Sequence, residues 1–169
     1  MQLPPNNPSP VLVLPVRKKL PHDVPLWVPE NAVYFITIGC DPRNENHLAR
    51  PEIADAMGKS LLHYQNIGKC WVWLFLLMPD HAHGLVTFTR KKPIKSVVED
   101  WKRWHATQTR VRWEVGYFES RIRDQAMLVE KRDYIRNNPV AKGLVGHPDD
   151  WPYQWHYGCA KTQPADLVW

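Results

Sequence analysis

The sequence predicts an α+β domain in which helices pack on a single β-sheet. Its 169 residues are a usual length for one domain, and an apolar share of 44%, with nine tryptophans, can supply a substantial core. Short β-branched and aromatic runs, typical of strands, alternate along the chain with segments whose apolar residues recur at helical spacing. These observations favour a globular mixed fold over a disordered or all-helical chain.

In the first half of the domain, the sequence predicts a strand, a helix and two further strands. Val33–Ile38 is β-branched and aromatic, as a strand requires. Pro51 suits the first turn of a helix, which then covers Glu52–Gln65. Cys70–Met78 is a nearly continuous apolar run, which predicts a central strand buried on both faces. After a turn, His81–Thr89 is expected to form the next strand.

In the second half of the domain, the sequence predicts a helix, a short strand and a last helix. From Ile94 the apolar residues return at helical spacing and form one stripe. Tyr117–Ile122 is a candidate strand. Asp124 suits the N-cap of a helix that continues to Asn138, where Pro139 is expected to end it. The order β-α-β-β-α-β-α predicts an antiparallel sheet packed with helices, of the ferredoxin-like kind.

The ends of the chain and its cysteines complete the predicted organisation. Residues 1–30 hold eight of the sixteen prolines, so we expect an extended or disordered arm there. The folded domain is expected over residues 31–158 and a tail over residues 159–169. Three widely spaced cysteines and the lack of a membrane-spanning run predict a cytoplasmic protein with no membrane partner.

Basic residues are concentrated in one part of the chain. Between Arg90 and Arg136 there are 13 Lys and Arg against 7 Asp and Glu, although the whole chain has a formal net charge of only +5. This concentration is expected for a nucleic-acid partner, but a solvated basic helix face explains the charge equally well. The candidate phosphate contacts are Lys91, Lys92, Lys95, Lys102, Arg103, Arg110 and Arg112.

Two histidines in the segment MPDHAHGLV (78–86) form a candidate metal site. In a strand, His81 and His83 project from the same face, with Cα atoms ~6.6 Å apart, so both imidazoles can reach one divalent ion. Gly84 is expected to leave open space beside them. The alternative is a pair of polar residues whose hydrogen bonds are satisfied at a strand end. Leu85 excludes the HxHxH and HxHxDH metal patterns, so a further ligand must come from elsewhere.

The segment YIRNNPVAKGLV (134–145) offers that ligand and a nucleophile. Tyr134 and Asn138 are four residues apart and therefore share a helix face. An amide oxygen is a suitable ligand for Mg²⁺ or Mn²⁺, and a tyrosine one turn away can attack a bound phosphate. The alternative is an amphipathic helix with a half-buried tyrosine, and taken alone this segment favours that alternative.

In combination, the segments MPDHAHGLV, FESRIRD, YIRNNPVAKGLV and DDWPYQW resemble the REP-associated tyrosine transposases, which are HUH endonucleases. The resemblance extends from about Val33 to Trp155. It implies a ferredoxin-like sheet in which His81 and His83 match the metal-binding pair, Tyr134 the nucleophile and Asn138 the third metal ligand. It also implies cleavage and rejoining of single-stranded DNA beside short palindromic hairpins.

Two stretches depart from the pattern that the resemblance implies. The FESRIRD stretch differs from the usual FxDHxIRD, and the usual NPVKAGLV or NPVRAGLV here has Ala141 before Lys142. Both differences lie outside the proposed metal ligands and nucleophile, so they concern substrate recognition rather than chemistry.

Three rival functions fit parts of the sequence. A domesticated hairpin-DNA-binding protein would have kept the recognition surface without cutting. A metal-dependent hydrolase of small phosphate esters would need no DNA partner, and a structural module would need no Tyr134. The sequence does not choose between Mg²⁺ and Mn²⁺ or between a monomer and a homodimer.

Overall fold

The computed structural model of the protein describes residues 27–156. Nearly all of the arm predicted for residues 1–30 and the whole tail predicted for residues 159–169 lie outside this range. The elements are β1 (Val33–Gly39), α1 (Pro51–Asn66), β2 (Cys70–Leu77), β3 (His81–Phe88), α2 (Ile94–Thr109), β4 (Phe118–Arg121), α3 (Gln125–Ala141), a 3-10 helix (Pro148–Asp150) and β5 (Gln154–Trp155). None of the described helices is both long and apolar enough to cross a membrane.

The five strands form one sheet in the order β4-β1-β3-β2-β5, and every neighbouring pair is antiparallel. The first four strands with α1 and α2 make the βαββαβ unit of a ferredoxin-like fold. The predicted α+β class and its antiparallel sheet are therefore confirmed. The two-residue strand β5, which pairs with Phe75 and Leu76, was not predicted because two residues carry no periodicity.

The sheet separates two apolar cores. One face packs against α1 and α2, and its core includes Ile36, Phe75 and Ala82. The other face packs against α3, and its core includes Phe35, Leu76 and Ile135. We call this second face the α3 face. Because side chains alternate along a strand, the burial of Ala82 in the first core turns its neighbours His81 and His83 towards the α3 face.

A one-residue bulge in β2 changes which side chains face α3. The register with β3 shifts between Val72 and Leu74. Before the bulge, Val72 faces α1 and α2; after it, Phe75 and Leu77 do. An extra residue reverses the alternation of the residues that follow it. Both faces of β2 are thereby supplied with apolar residues, as its continuous apolar sequence predicts.

Helix α3 begins where the sequence predicts but ends later. The Asp124 carboxylate caps it by accepting a hydrogen bond from the Met127 N–H at 2.8 Å. The prediction that Pro139 ends the helix is wrong. Pro139 lies inside the last turn, and the end is set by Gly143, whose φ is +68°. The N–H groups of Gly143 and Leu144 donate to the carbonyls of Val140 and Pro139, which is a Schellman motif.

Candidate active site

Three of the residues predicted for the site meet on the α3 face. The ring centroids of His81 and His83 are 4.7 Å apart, and the centroid of Tyr134 lies 5.4 Å from that of His83. The sheet supplies the two histidines from β3, whereas α3 carries the tyrosine across the face. His83 and Tyr134, which are 51 positions apart in the chain, are therefore adjacent in space.

His83 is buried and held through one ring nitrogen. It is only 3% exposed, its ring stacks on Phe35, and its Nδ1 is hydrogen-bonded to Thr37 Oγ1 at 2.9 Å. Thr37 is its direct partner across the β1–β3 pairing. The other nitrogen, Nε2, is buried without a hydrogen-bond partner. A buried polar atom without a partner is costly, and a bound ion or substrate is one way to satisfy it.

The environment keeps His83 uncharged. Burial, assisted by His81 and Arg43, lowers the pKa of His83 to about 3. The ring is therefore neutral at ordinary pH. Neutral imidazole is the form that binds a metal ion, because the lone pair of one nitrogen is then free.

His81 is oriented by the residue that precedes it. Its Nδ1 lies 2.6 Å from Asp80 Oδ1, and the Asn44 N–H donates to Asp80 Oδ2 at 2.8 Å. Burial opposes the ionisation of Asp80, but these hydrogen bonds from Asn44 and His81 outweigh it and hold the pKa of the carboxyl below its usual value. The carboxylate thus accepts the Nδ1 proton of His81 and leaves the lone pair on Nε2, as in a carboxylate–histidine–metal arrangement.

Tyr134 is accessible from solvent although its ring has partners in the site. Its side chain is 52% exposed, and its ring meets Phe35 edge-on with the centroids 6.0 Å apart. Two other groups surround the same Phe35 ring. The Lys131 Nζ lies 5.8 Å from the ring centroid, and the exposed Phe118 ring lies 6.1 Å from it. One cation, which is paired with Glu130, and one exposed aromatic ring therefore lie beside Phe35 with Tyr134.

Asn138 is buried one turn after Tyr134 on α3. Its Nδ2 donates to the Tyr134 carbonyl at 3.3 Å, which leaves the amide oxygen for another partner. Within residues 27–156, no group of three or more His, Cys, Asp or Glu side chains is placed to hold a metal ion. An ion on His81 and His83 would therefore need a ligand of another type. The amide oxygen of Asn138 is chemically suited to that role, because a carbonyl oxygen is the kind of ligand that Mg²⁺ and Mn²⁺ accept, and the imidazole nitrogens of His81 and His83 would complete the donor set.

The structure corrects the prediction for Lys102. This side chain is only 9% exposed, and its ammonium donates to the carbonyls of Glu114 at 2.7 Å and Gly116 at 2.6 Å. Lys102 holds the loop after α2 and does not offer a surface cation for a phosphate. The other predicted side chain on the same turn, Arg103, is exposed and pairs with Asp100 at 3.2 Å.

The remaining predicted basic residues do not form one patch around Tyr134. Helix α2, which carries Lys95 and Arg103, packs on the opposite face of the sheet. Lys91 and Lys92 follow the far end of β3, ~23 Å along the strand from His81. Arg112 differs, because its carbonyl accepts the Asp41 N–H next to the end of β1 that pairs with His81. Arg110 is two residues away from it, so these two arginines lie at the His81 end of the sheet.

Several residues of the site were not predicted. The sequence contained a signal for Asp80, because the second ring nitrogen of a metal-binding histidine commonly donates to a nearby carboxylate. Thr37 had none, since only the β1–β3 register brings it opposite His83. Lys131 is three residues before Tyr134 and shares its helix face, which the sequence spacing could have indicated.

Comparison with known proteins finds the same resemblance as the sequence motifs. No protein-family model matches the chain. The chain is 24% identical over 161 residues to a Haemophilus influenzae protein named as a REP-associated tyrosine transposase, a match that covers 83% of this chain and 88% of the relative. The solved structure of a REP-associated tyrosine transposase bound to a REP hairpin matches with a TM-score of 0.64 and 18% identity, over 78% of this chain and 80% of the other. The predicted resemblance and its fold are confirmed.

Proposed function

We propose that this protein is a metal-dependent nuclease that cuts and rejoins single-stranded DNA beside hairpins, in the manner of a transposase. Tyr134 is the nucleophile, and His81, His83 and Asn138 are the metal ligands. The observation that carries the proposal is the buried, unpartnered Nε2 of His83 in a ring 5.4 Å from the ring of Tyr134. A purely structural role leaves both the buried nitrogen and the exposed tyrosine unexplained.

The residues of the proposed metal site divide into ligands and supports. Thr37 and Asp80 hold the Nδ1 atoms of the two histidines, so that both Nε2 atoms are free to bind. A divalent ion bound there would supply a Lewis acid for a phosphate oxygen. Burial of His83 keeps water from competing for its lone pair.

The proposed covalent step forms one bond and breaks one. The Tyr134 hydroxyl oxygen attacks the phosphorus, and the bond from phosphorus to the 3′ oxygen breaks. The products are a 5′-phosphotyrosine and a 3′-hydroxyl, which takes up a proton equivalent to the one that the phenol loses to solvent. Because the phosphotyrosine conserves the ester, another 3′-hydroxyl can reverse the step, and rejoining needs no ATP.

The substrate class rests on two supports. The first is similarity to a protein named as a REP-associated tyrosine transposase and to one solved on a REP hairpin. The second is the position of Tyr134. Its side chain is half exposed, and it lies on a helix that packs across the sheet. A flexible single strand or an unpaired junction can bring its backbone to such a site more readily than a duplex.

The proposal is tested by trapping the covalent intermediate. The full-length protein is incubated with Mn²⁺ and labelled hairpin oligonucleotides that carry randomised single-stranded flanks, and adducts are detected after denaturation. We expect an adduct that requires both the metal and Tyr134. Tyr134→Phe should abolish it, whereas Tyr64→Phe, a matched removal of a partly buried hydroxyl from α1 on the opposite face, should leave it unchanged.

Two other outcomes contradict the proposal. Tight hairpin binding without an adduct under any metal condition would favour the domesticated DNA-binding protein. An adduct that persists in Tyr134→Phe would assign the nucleophile to another residue.

A further inference from the structure

An open pocket of about 550 Å³ adjoins the candidate active site at the His81 end of the sheet. Its volume lies within the range of 300–1,000 Å³ that is typical of small-ligand sites. The lining residues are Arg43, Asn44, Met78, Pro79, Asp80, His81, Lys142 and Leu144. His81 therefore borders both this pocket and the site that contains Tyr134.

The lining combines an apolar part with a charged part. Pro79 and Leu144 supply accessible apolar atoms, and the buried Met78 lies beneath them. Of the charged groups, Arg43 is held by the Glu114 carboxylate and Asp80 by His81, so each has a partner of opposite charge or a hydrogen-bond donor. The remaining charge is the ammonium of Lys142.

Lys142 is a cation without a partner among the described residues. No hydrogen bond or ion pair engages its ammonium within residues 27–156, whereas each of the three cations within α3, Lys131, Arg132 and Arg136, has an acidic partner. A mixed apolar and cationic lining is suited to a nucleotide, because the base can lie on the apolar atoms and the phosphate can contact the ammonium.

The end of α3 fixes where Lys142 lies. It is the last residue before Gly143, and the Schellman hydrogen bonds of Gly143 and Leu144 hold its backbone. Ala141, one residue earlier, is exposed and does not line the pocket. Neighbouring residues at a helix end point about 100° apart around the axis. The position of the lysine at 142 rather than at 141 therefore puts the cation into the pocket.

We propose that this pocket binds one nucleotide of the single strand that flanks the phosphate attacked by Tyr134. Lys142 contacts the backbone phosphate of that nucleotide, Pro79 and Leu144 contact the base, and the side-chain amide of Asn44 is available to hydrogen-bond its edge. The inference rests on the proposed function and adds to it a specific subsite for the flanking strand. It predicts that recognition of the flank is separate from recognition of the hairpin stem.

The test uses two variants of the full chain, one that removes the lysine and one that moves it by one residue. Lys142→Ala removes the cation, and the double variant Ala141→Lys with Lys142→Ala moves it by one residue at unchanged composition and net charge. Affinity is measured against salt for a hairpin with a single-stranded flank and for the same hairpin with a blunt end.

For the flanked hairpin, we expect both variants to bind more weakly and to lose about 0.7 from the slope of log affinity against log salt, the value for one single-strand phosphate contact. For the blunt hairpin, we expect binding equal to that of the unchanged protein. Wild-type behaviour of the double variant would overturn the subsite, because a cation anywhere at the helix end would then be sufficient. An equal loss on both hairpins would also overturn it.

The adduct assay separates the two proposals. If the unchanged protein forms the Tyr134 adduct while the moved lysine has no effect, the nuclease proposal stands and the subsite fails. If the unchanged protein forms no adduct and binds neither hairpin, both fail. Asn44→Ala provides a second variant of the same pocket, for which we expect altered preference for the flanking base without a change in the salt slope.

Discussion

Asp80 holds Nδ1 of His81 at 2.6 Å, and the same carboxylate is itself held by the Asn44 N–H. His83 has a different support, because its Nδ1 is bonded to the hydroxyl of Thr37. The two histidines of the candidate metal pair are thus oriented by groups of different charge. An ionised carboxylate makes its histidine a stronger electron donor than a hydroxyl does.

The first prediction concerns Asp80 as a positioning residue. Asp80→Asn keeps the shape and an acceptor oxygen but removes the charge, so we expect Mn²⁺ affinity to fall about 10- to 100-fold. Electron paramagnetic resonance of free Mn²⁺ measures the affinity, and nitrogen NMR of the His81 ring reports its tautomer. Asp41→Asn is the matched control, since Asp41 is exposed and pairs with Arg112. Unchanged affinity in Asp80→Asn would show that the carboxylate does not support the metal site.

The second prediction concerns Gly84 in β3. A Cβ atom at this position would lie 2.8 Å from Phe75 Cδ2 and 3.2 Å from Ile36, both in the core beneath α1 and α2. We expect Gly84→Ala to destabilise the protein by about 1–3 kcal/mol, the usual cost of overpacking. Urea denaturation measures the free energy of unfolding.

Gly146→Ala is the control for this variant, because a Cβ atom there would have no neighbour within 4 Å. Phe75→Leu should recover part of the stability of Gly84→Ala by making room for the methyl group. Equal stability of Gly84→Ala and the unchanged protein would mean that Phe75 can move without cost.

Gly84 also shows where prediction from the sequence ends. The period-two alternation correctly turned His81 and His83 to one face, and that face is the one that α3 covers. The same alternation puts Gly84 on the opposite face, so the expectation that it opens space beside the pair is wrong. The space is filled by Phe75, whose direction depends on the bulge in β2. A bulge is a property of strand pairing and has no periodic signal in one strand.

The basic segment illustrates the same limit. Charge and helical spacing placed Lys102 off the apolar stripe, yet its long side chain reaches two carbonyls of the loop after α2. A lysine stem can bury its methylenes while its ammonium finds partners, so sequence position does not determine its exposure. Likewise, the breaking tendency of Pro139 predicted the helix end too early. A proline in the last turn removes only one hydrogen bond, and Gly143 then sets the end.

The third prediction follows from Lys102. Lys102→Met retains most of the packing but leaves the carbonyls of Glu114 and Gly116 without their donor. We expect a loss of about 1–3 kcal/mol in the free energy of unfolding, as for other hydrogen bonds that a charged group makes. Arg103→Met, on the exposed side of the same turn, should change stability by less than about 0.5 kcal/mol. Equal effects of the two variants in thermal unfolding would contradict the structural role of Lys102.

The fourth prediction concerns stability against pH and the buried His105. Its Nε2 is hydrogen-bonded to Ser60 Oγ at 2.7 Å, and its Nδ1 is buried without a partner. Burial lowers the pKa of His105 from 6.5 to about 4. The unfolded chain therefore binds a proton more readily than the folded chain between these two values. The stability that His105 contributes in its neutral form is complete above pH 6.5 and is lost as the pH falls towards about 4.

At ~1.4 kcal/mol for each tenfold difference in proton affinity, this effect is about 3 kcal/mol at full size. Other groups, including His83, change stability in the same direction, so the measurement compares slopes rather than absolute stabilities. We expect His105→Gln to flatten the plot of unfolding free energy against pH between pH 4 and 6.5, whatever its stability at pH 7.5. His63→Gln, which removes a histidine from the exposed part of α1, should keep the slope of the unchanged protein. An unaltered slope in His105→Gln would mean that the buried ring is protonated in the folded state or is accessible to water.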